Sequence, residues 1–410
     1  MASENIIGPP YRGRWWMLIL IFFGFVELTL NWFNVVDTLG FFGEKFDIGI
    51  AQFGLIVGIF LAGYGIFHLP TGFLASKFGF KTIFVIGIFL ESLSSFLTAI
   101  SPNYITLLIF RFIAGMGGSF VVGLGFAYGS AWFKDAEISL ANGINGGAGF
   151  AIGAALSIFL GVPLVSTYGS EGWLFITGTI GILIGIVILI FLKNPPNAER
   201  LLGGKISKND LKEVFLEKNL WLLGISIIGG YGSYFTTSEL ISTYASTIGF
   251  GPTIAALPST LLLLMGIPGS FIGGYLADHY KKPKLVYSIF LLITAISFFF
   301  LVVYRDISIW IVPIVVGFGL IAAFAPFSAY PGMMKDISKH NLATAVGLLL
   351  TLAALGGFFV PTIFGIISAI NYSNGWIFLG IVSLVFSTAV IKVKDPYGDK
   401  KKILKRDEVT

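Results

Sequence analysis

GYGIFHLPTGFLASKFGFKT, residues 63–82, is compatible with lipid as far as Ala75 and then turns through Ser76, Lys77, Gly79 and Lys81. A helix that ends in a glycine turn carrying two lysines is the pattern of a membrane span stopped at a cytoplasmic surface. The surrounding chain supports that reading. Its 410 residues are 56% hydrophobic and only 11% charged, with a mean hydropathy of +0.89. Those proportions exclude an ordinary soluble domain. Apolar runs of about 20 residues, each able to cross ~30 Å of hydrocarbon as a helix, recur along the whole chain. Twelve spans are expected, giving an all-α polytopic membrane protein. The start, MASENIIGPPYRGRWW, lacks a small-residue cleavage site after its apolar run, so the first span is expected to stay.

Charge placement gives orientation. With both termini in the cytoplasm, 23 of the 26 lysines and arginines fall in the terminal segments or on the cytoplasmic loops, leaving Lys45, Arg305 and the intramembrane Arg111. The net charge of +5 is then topological bias, which gives no support to a nucleic-acid role. The absence of cysteine removes disulfides and thiol metal sites.

A repeat runs through the chain. Gly72-Phe-Leu-Ala-Ser76 matches Gly274-Tyr-Leu-Ala-Asp278 at an offset of 202, Lys134-Asp135 matches Lys335-Asp336 at 201, and Gly172-Trp173 matches Gly375-Trp376 at 203. The offset spans an even number of helices, so two six-helix halves run parallel about an axis along the membrane normal, around a central cavity. The expected division is a cytoplasmic N-terminus (1–14), a first bundle (15–192), a polar linker (193–219), a second bundle (220–391) and a basic tail (392–410).

The loop between spans two and three, Gly72-Phe-Leu-Ala-Ser76-Lys77-Phe-Gly79-Phe80-Lys81, resembles the signature G-x-x-x-D-[RK]-x-G-[RK]-[RK] of the major facilitator superfamily. Ser76 replaces the family aspartate and Phe80 one basic residue; the second copy keeps Asp278 but has His279 and Lys281 where the family has a basic residue and a glycine. Leu107, Arg111, Gly115 and Gly117 resemble a second family pattern in the fourth span. The resemblance implies a secondary transporter cycling between two facing states, with the aspartate position latching the cytoplasmic side against the other half. From the residues alone, Gly72 allows close helix approach, the side chain of the next turn caps another helix, and Gly79 permits the reversal.

Charges inside spans cost about 2.5–3.5 kcal/mol each at a helix centre and need a reason. Glu27, Asn31, Asn34 and Thr38 share one face of the first span, which should line water or substrate, or else pin helices together. Glu91 and Arg111 come nearly level in a hairpin folded about Pro102, within a rise of about 3 Å, as a structural strut or a proton relay. Tyr231, Tyr234 and Ser238 share a face of span seven, and Glu239 corresponds to Asp37 at the repeat offset, pointing to an outer gate or to solvated helix ends. Tyr64 and His68, at i and i+4 in span two, are candidates for the cavity wall. Glycine clusters, including the run from Asn142 to Gly149 that carries Asn145, allow close packing and bends.

These features point to alternating access by a proton-coupled symporter of a small polar organic solute, an organic anion among the candidates, with Glu27 as proton carrier. No phosphate-binding loop, cofactor or metal cluster is expected, nor enzymatic activity. Partners are the solute, H⁺ and the bilayer of the cytoplasmic membrane, for a functional monomer. The resemblance weakens efflux, because the fifth span has no proline before Pro163, and nitrate, because spans two and eight offer His68 and no arginine. Antiport, facilitated uniport and a membrane receptor remain as alternatives.

Overall fold

The computed structural model describes residues 13–133, 141–194, 208–303, 305–334, 337 and 342–395. The repeat residues Lys134, Asp135, Lys335 and Asp336, most of the linker, the first twelve residues and the tail after 395 lie outside them, as does the Ser76 side chain.

Helices α1 (Arg14–Phe33), α2 (Leu39–Phe46), α3 (Ile50–Phe78), α4 (Phe80–Ala99), α5 (Tyr104–Trp132) and α6 (Phe150–Phe191) precede a short amphipathic α7 (Lys208–Leu216). Then follow α8 (Lys218–Thr247), α9 (Pro252–Tyr280), α10 (Pro283–Val303), α11 (Arg305–Met333), α12 (Leu342–Ser368) and α13 (Tyr372–Ser387). Ten segments of the described residues are long and apolar enough to cross a membrane. One of the ten, 143–191, breaks at Gly169 (φ 76°, ψ 166°) into two spans. The thirty-residue α8 falls outside the ten because its middle, Tyr-Gly-Ser-Tyr-Phe-Thr-Thr-Ser-Glu, is polar. Together these account for the twelve expected spans.

The repeat is visible in backbone packing. In the first half Gly115 of α5 lies directly on the Phe60 carbonyl of α3; in the second, Gly317 of α11 lies on the Leu262 carbonyl of α9. Both pairs are related by the offset of 202 read from the sequence. Contacts this close exclude even a methyl group, which is how small residues hold membrane helices together where lipid gives no hydrophobic drive. Gly87 and Gly117 do the same for α4 and α5, each with its β-position within 2.7 Å of the other's carbonyl oxygen.

The halves meet along two seams, α3 with α12 and α6 with α9. On the first seam the packing loosens steadily along the helices. Gly54 abuts the Pro361 carbonyl, a β-carbon at Gly58 would stand 2.5 Å from that of Phe358, and one at Gly65 would stand 2.5 Å from the Ala354 β-carbon but 3.7 Å from the Thr351 carbonyl oxygen. Gly347 meets the Leu69 side chain at 3.3 Å, and Gly72 has nothing within 4 Å among the described residues. Among the described residues this seam is therefore tighter at the end where α3 begins and slacker toward the basic end, which carries Lys77, Lys81 and Lys281. Close approach on α3 falls at Gly54, Gly58, Gly63 and Gly65; among the described residues the motif glycines Gly72 and Gly274 make no tight crossing, Gly274 having only Ala325 at 4.0 Å.

Gly79 does make the expected reversal, at φ 90° and ψ 150°, a region open essentially to glycine. The backbone N–H of Lys81 then donates to Asn194 Oδ1 (3.0 Å), which caps α4 from the end of α6. At the equivalent place in the second half, Lys281 is forced to φ 50°. Gly79→Ala is expected to cost about 1–3 kcal/mol in thermal unfolding, whereas Lys281→Gly should lose nothing or gain about 1 kcal/mol. Equal losses at both positions would show that the turns, not their backbone angles, set the sign.

Candidate functional site

Three buried polar arrays follow from the helix faces. The first contains Glu27, Asn31 and Asn34. Glu27 Oε1 accepts from Asn31 Nδ2 (3.0 Å) and from Ser92 Oγ of α4 (3.0 Å), and its Oε2 has no partner. Asn34 Nδ2 donates to Ser95 Oγ and to Thr177 Oγ1, both at 2.7 Å, and Trp173 Nε1 donates to the Asn34 carbonyl (3.1 Å). The stripe thus faces α4 and the second limb of α6, inside the first half. Of the two expectations for it, this geometry matches helix pinning, because the α1 face turned to the second half belongs to Trp32. Gly181 makes room for the array, lying against Ser92, Glu27 and Asn31. Thr38 is turned back onto the Val35 carbonyl (2.8 Å).

The second array corrects the Glu91–Arg111 strut: these residues make no ion pair within 4 Å, and both Glu91 carboxylate oxygens are buried without a hydrogen bond. Their levels are near, but helical side chains lean toward their own N-termini. On the antiparallel α4 and α5 that tilts the two groups apart. Glu91 leans to Gly118, where its Oε1 would be 3.0 Å from an added β-carbon, while Arg111 leans the other way and donates from Nη2 to the Trp32 carbonyl (3.1 Å). They still interact through space.

The third array bridges the halves. Arg111, 2% exposed, lies over the Phe60 ring at 4.7 Å. Trp32 Nε1 donates to Glu239 Oε1 of α8 (3.0 Å), and Glu239, 0% exposed, is an electrostatic partner of Arg111. The Trp32 ring stacks on Phe60 (4.4 Å) and, almost parallel at 7°, on Phe235 of α8 (4.8 Å). Toward the basic end Tyr64 of α3 and Tyr231 of α8 act on each other electrostatically, and Tyr64 meets His68 edge-on at 4.2 Å. Ser119 Oγ lies 3.2 Å from His68 Nδ1, and His68 Nε2 is unpartnered.

Glu239 and Asp37 therefore do not form a matched outer pair. Glu239 joins the junction, whereas Asp37 packs on Gly161 of α6 with its Oδ2 unpartnered. Tyr234 is buried beside Phe235, and Ser238 donates back to the Phe235 carbonyl (3.1 Å). Asn145 sits in a seven-residue π-turn, Gly143–Gly149, fully buried with neither amide atom partnered. Lys77 and Asp278 are exposed, and the segments a Ser76 or Asp278 latch would reach at the basic end are outside the described residues. Trp32, Phe60 and Phe235 were not singled out by sequence; the one signal was a tryptophan set within the polar stripe, between Asn31 and Asn34.

Two repeated helical halves, joined by glycine seams around a buried charged junction, define a polytopic membrane transporter. The chain belongs to the Major Facilitator Superfamily, whose family model matches residues 17–361. It is 22% identical over 367 residues to a protein of Thermus thermophilus named "Probable nitrate/nitrite antiporter", covering 81% of this chain and 79% of that one. It is also 22% identical over 289 residues to a "Probable sulfoacetate transporter" of Cupriavidus necator, covering 65% and 64%. Among solved structures, a bacterial homolog of the human lysosomal transporter Spinster, inward-facing and occupied, matches with a TM-score of 0.75 at 15% identity, covering 94% of this chain and 96% of that one.

Proposed function

We propose that this chain is a proton-coupled symporter of a small organic anion, working as a monomer by alternating access between bundles 15–192 and 220–391. The basic end, with both termini, faces the cytoplasm, and the chain sits in the cell membrane. The carrying observation is the junction itself: a buried cation from the first half and a buried carboxyl from the second meet at Trp32. A fixed strut needs no such arrangement across a seam that must part, whereas a carrier needs charges whose pairing differs between its states. The tight seam at the opposite end supports a cytoplasm-facing or occluded state, like that described for the Spinster homolog.

The organic-anion reading draws on Arg111 and on the relative named for sulfoacetate. Nitrate fits less well, since neither α3 nor α9 contains an arginine. In this reading the coupling carboxyl moves from Glu27 to Glu239, because Glu27 is held within one half while Glu239 stands at the surface that separates. Ser76, Lys77, Gly79, Lys81, Gly274 and Asp278 remain proposed for the cytoplasmic gate. The test is uptake of labelled organic anions into proteoliposomes under an imposed pH gradient. Accumulation on the alkaline side, abolished by a protonophore, is expected; mere equilibration would indicate uniport, and accumulation on the acidic side antiport.

A further inference from the structure

Resting on the symporter reading, we propose that the junction takes an organic monoanion with an apolar, ring-sized body, whose carboxylate takes Arg111 over from Glu239 as Glu239 accepts a proton. The charge comes first. Arg111 is the one buried lysine or arginine among the described residues, and Glu239 and Glu91 both act on it electrostatically. An anion entering this site makes a surplus of negative charge in a medium that does not tolerate it. The surplus is removed if Glu239 is neutralised as the anion binds. The balance is one proton per anion: an ionised Glu239 acting on Arg111 through space, plus a free carboxylate and H⁺, gives the carboxylate paired with Arg111 and a neutral Glu239 carboxylic acid.

The geometry accounts for the proton and for the charge. Glu239 Oε1 keeps the Trp32 Nε1–H bond, and Oε2, buried and unpartnered, is where the proton goes. Arg111 Nε is likewise unpartnered, so the guanidinium has donor capacity left for an arriving carboxylate. Around it the buried side chains are aromatic: Trp32, Phe60 and Phe235 packed in one stack, with Tyr64, Tyr231 and Phe324 beside it. Once the halves part, such rings suit an apolar body and give a small inorganic anion nothing to bury. A dianion would leave one charge uncompensated next to Glu91.

The groups that face Glu239 bear on its protonation. They are Arg111 of α5 and, behind it, Glu91 of α4, which also acts on Glu27 of α1; Tyr64 of α3 and Tyr231 and Tyr234 of α8 lie on the basic-end side. Asp37 follows α1 in the segment lying against α8. The described part of α9 carries charge only at Asp278 and His279, and residues 342–387 of α12 and α13 carry none.

The test is equilibrium binding of benzoate, succinate and nitrate to the purified full chain between pH 6 and 9.5, with proton uptake measured in weak buffer. Benzoate is expected to bind in preference to the other two, with affinity level at low pH and then falling by up to about tenfold per pH unit through one transition. About one proton should be taken up per benzoate bound above that transition. Glu239→Gln should abolish both the fall and the proton uptake, and Arg111→Gln should weaken binding at least tenfold at every pH. Should Arg111→Gln fail to fold, Arg111→Lys must still show the pH-linked fall. Tighter binding of succinate or nitrate overturns the substrate class, and a fall with pH that survives in Glu239→Gln overturns the exchange at Arg111. Neither result touches the symport reading, which fails if no labelled anion accumulates on the alkaline side of an imposed pH gradient.

Discussion

Arg111→Gln should destabilise the protein by about 3–5 kcal/mol, among the largest effects of any single replacement here, and abolish transport. The guanidinium is 2% exposed, and removing it leaves Glu239 and Glu91 buried without their compensating charge. The cost is therefore mostly that of the carboxyls left behind, and it should be partly refunded by neutralising one of them. Arg111→Gln combined with Glu239→Gln is expected to recover about 1–3 kcal/mol relative to the sum of the single changes. Chemical denaturation of the four proteins in one detergent measures this. Additive losses would mean that Arg111 and Glu239 are neighbours without coupling.

Gly58→Ala should open the closed end. Its new β-carbon would meet the Phe358 carbonyl oxygen at 2.5 Å and Thr362 Oγ1 at 2.8 Å, both across the seam between the halves. Backbone cannot yield there as a flexible side chain would, so α3 and α12 must separate, at a cost of about 1–3 kcal/mol. In a chain without natural cysteine, Thr38→Cys is a reporter, since Thr38 is 0% exposed in a segment lying against α8. Maleimide labelling at that position should accelerate several-fold in the Gly58→Ala background. Gly115→Ala, which meets the Phe60 carbonyl within the first half, should lower stability without accelerating labelling. Equal labelling rates in the two backgrounds would detach the glycine seam from gating.

What could be read in advance follows a physical line. Span number, the repeat and the Gly79 turn depend on composition and local backbone chemistry, and they reappear in the structure, down to the Gly115–Phe60 and Gly317–Leu262 contacts at one offset. Which neighbour a helix face meets depends on tertiary packing, and there the stripe of Glu27, Asn31 and Asn34 was ambiguous. Its periodicity places the residues on one face, but only α4 and α6, through Ser92, Ser95 and Thr177, determine that the face is internal to the first half. Glu91 and Arg111 were misjudged for a more specific reason: counting rise along a hairpin ignores the tilt of side chains toward each helix N-terminus. Glu239 was read as an acid near the outer end of its span, at a gate or a solvated helix end; its partner Trp32 lies 207 residues away, beyond the reach of any local pattern.

The central claim is that coupling resides where the halves meet and not inside the first bundle, and two glutamine replacements separate these possibilities. Glu27→Gln retains the acceptor oxygen used by Asn31 and Ser92, so proteoliposomes containing it should still accumulate a labelled organic anion when a pH gradient is imposed. Glu239→Gln removes the proton site at the junction, and its proteoliposomes should show no gradient-driven accumulation. Accumulation by Glu239→Gln at the parent level, with loss in Glu27→Gln, would contradict the account and return the carrier role to the first helix.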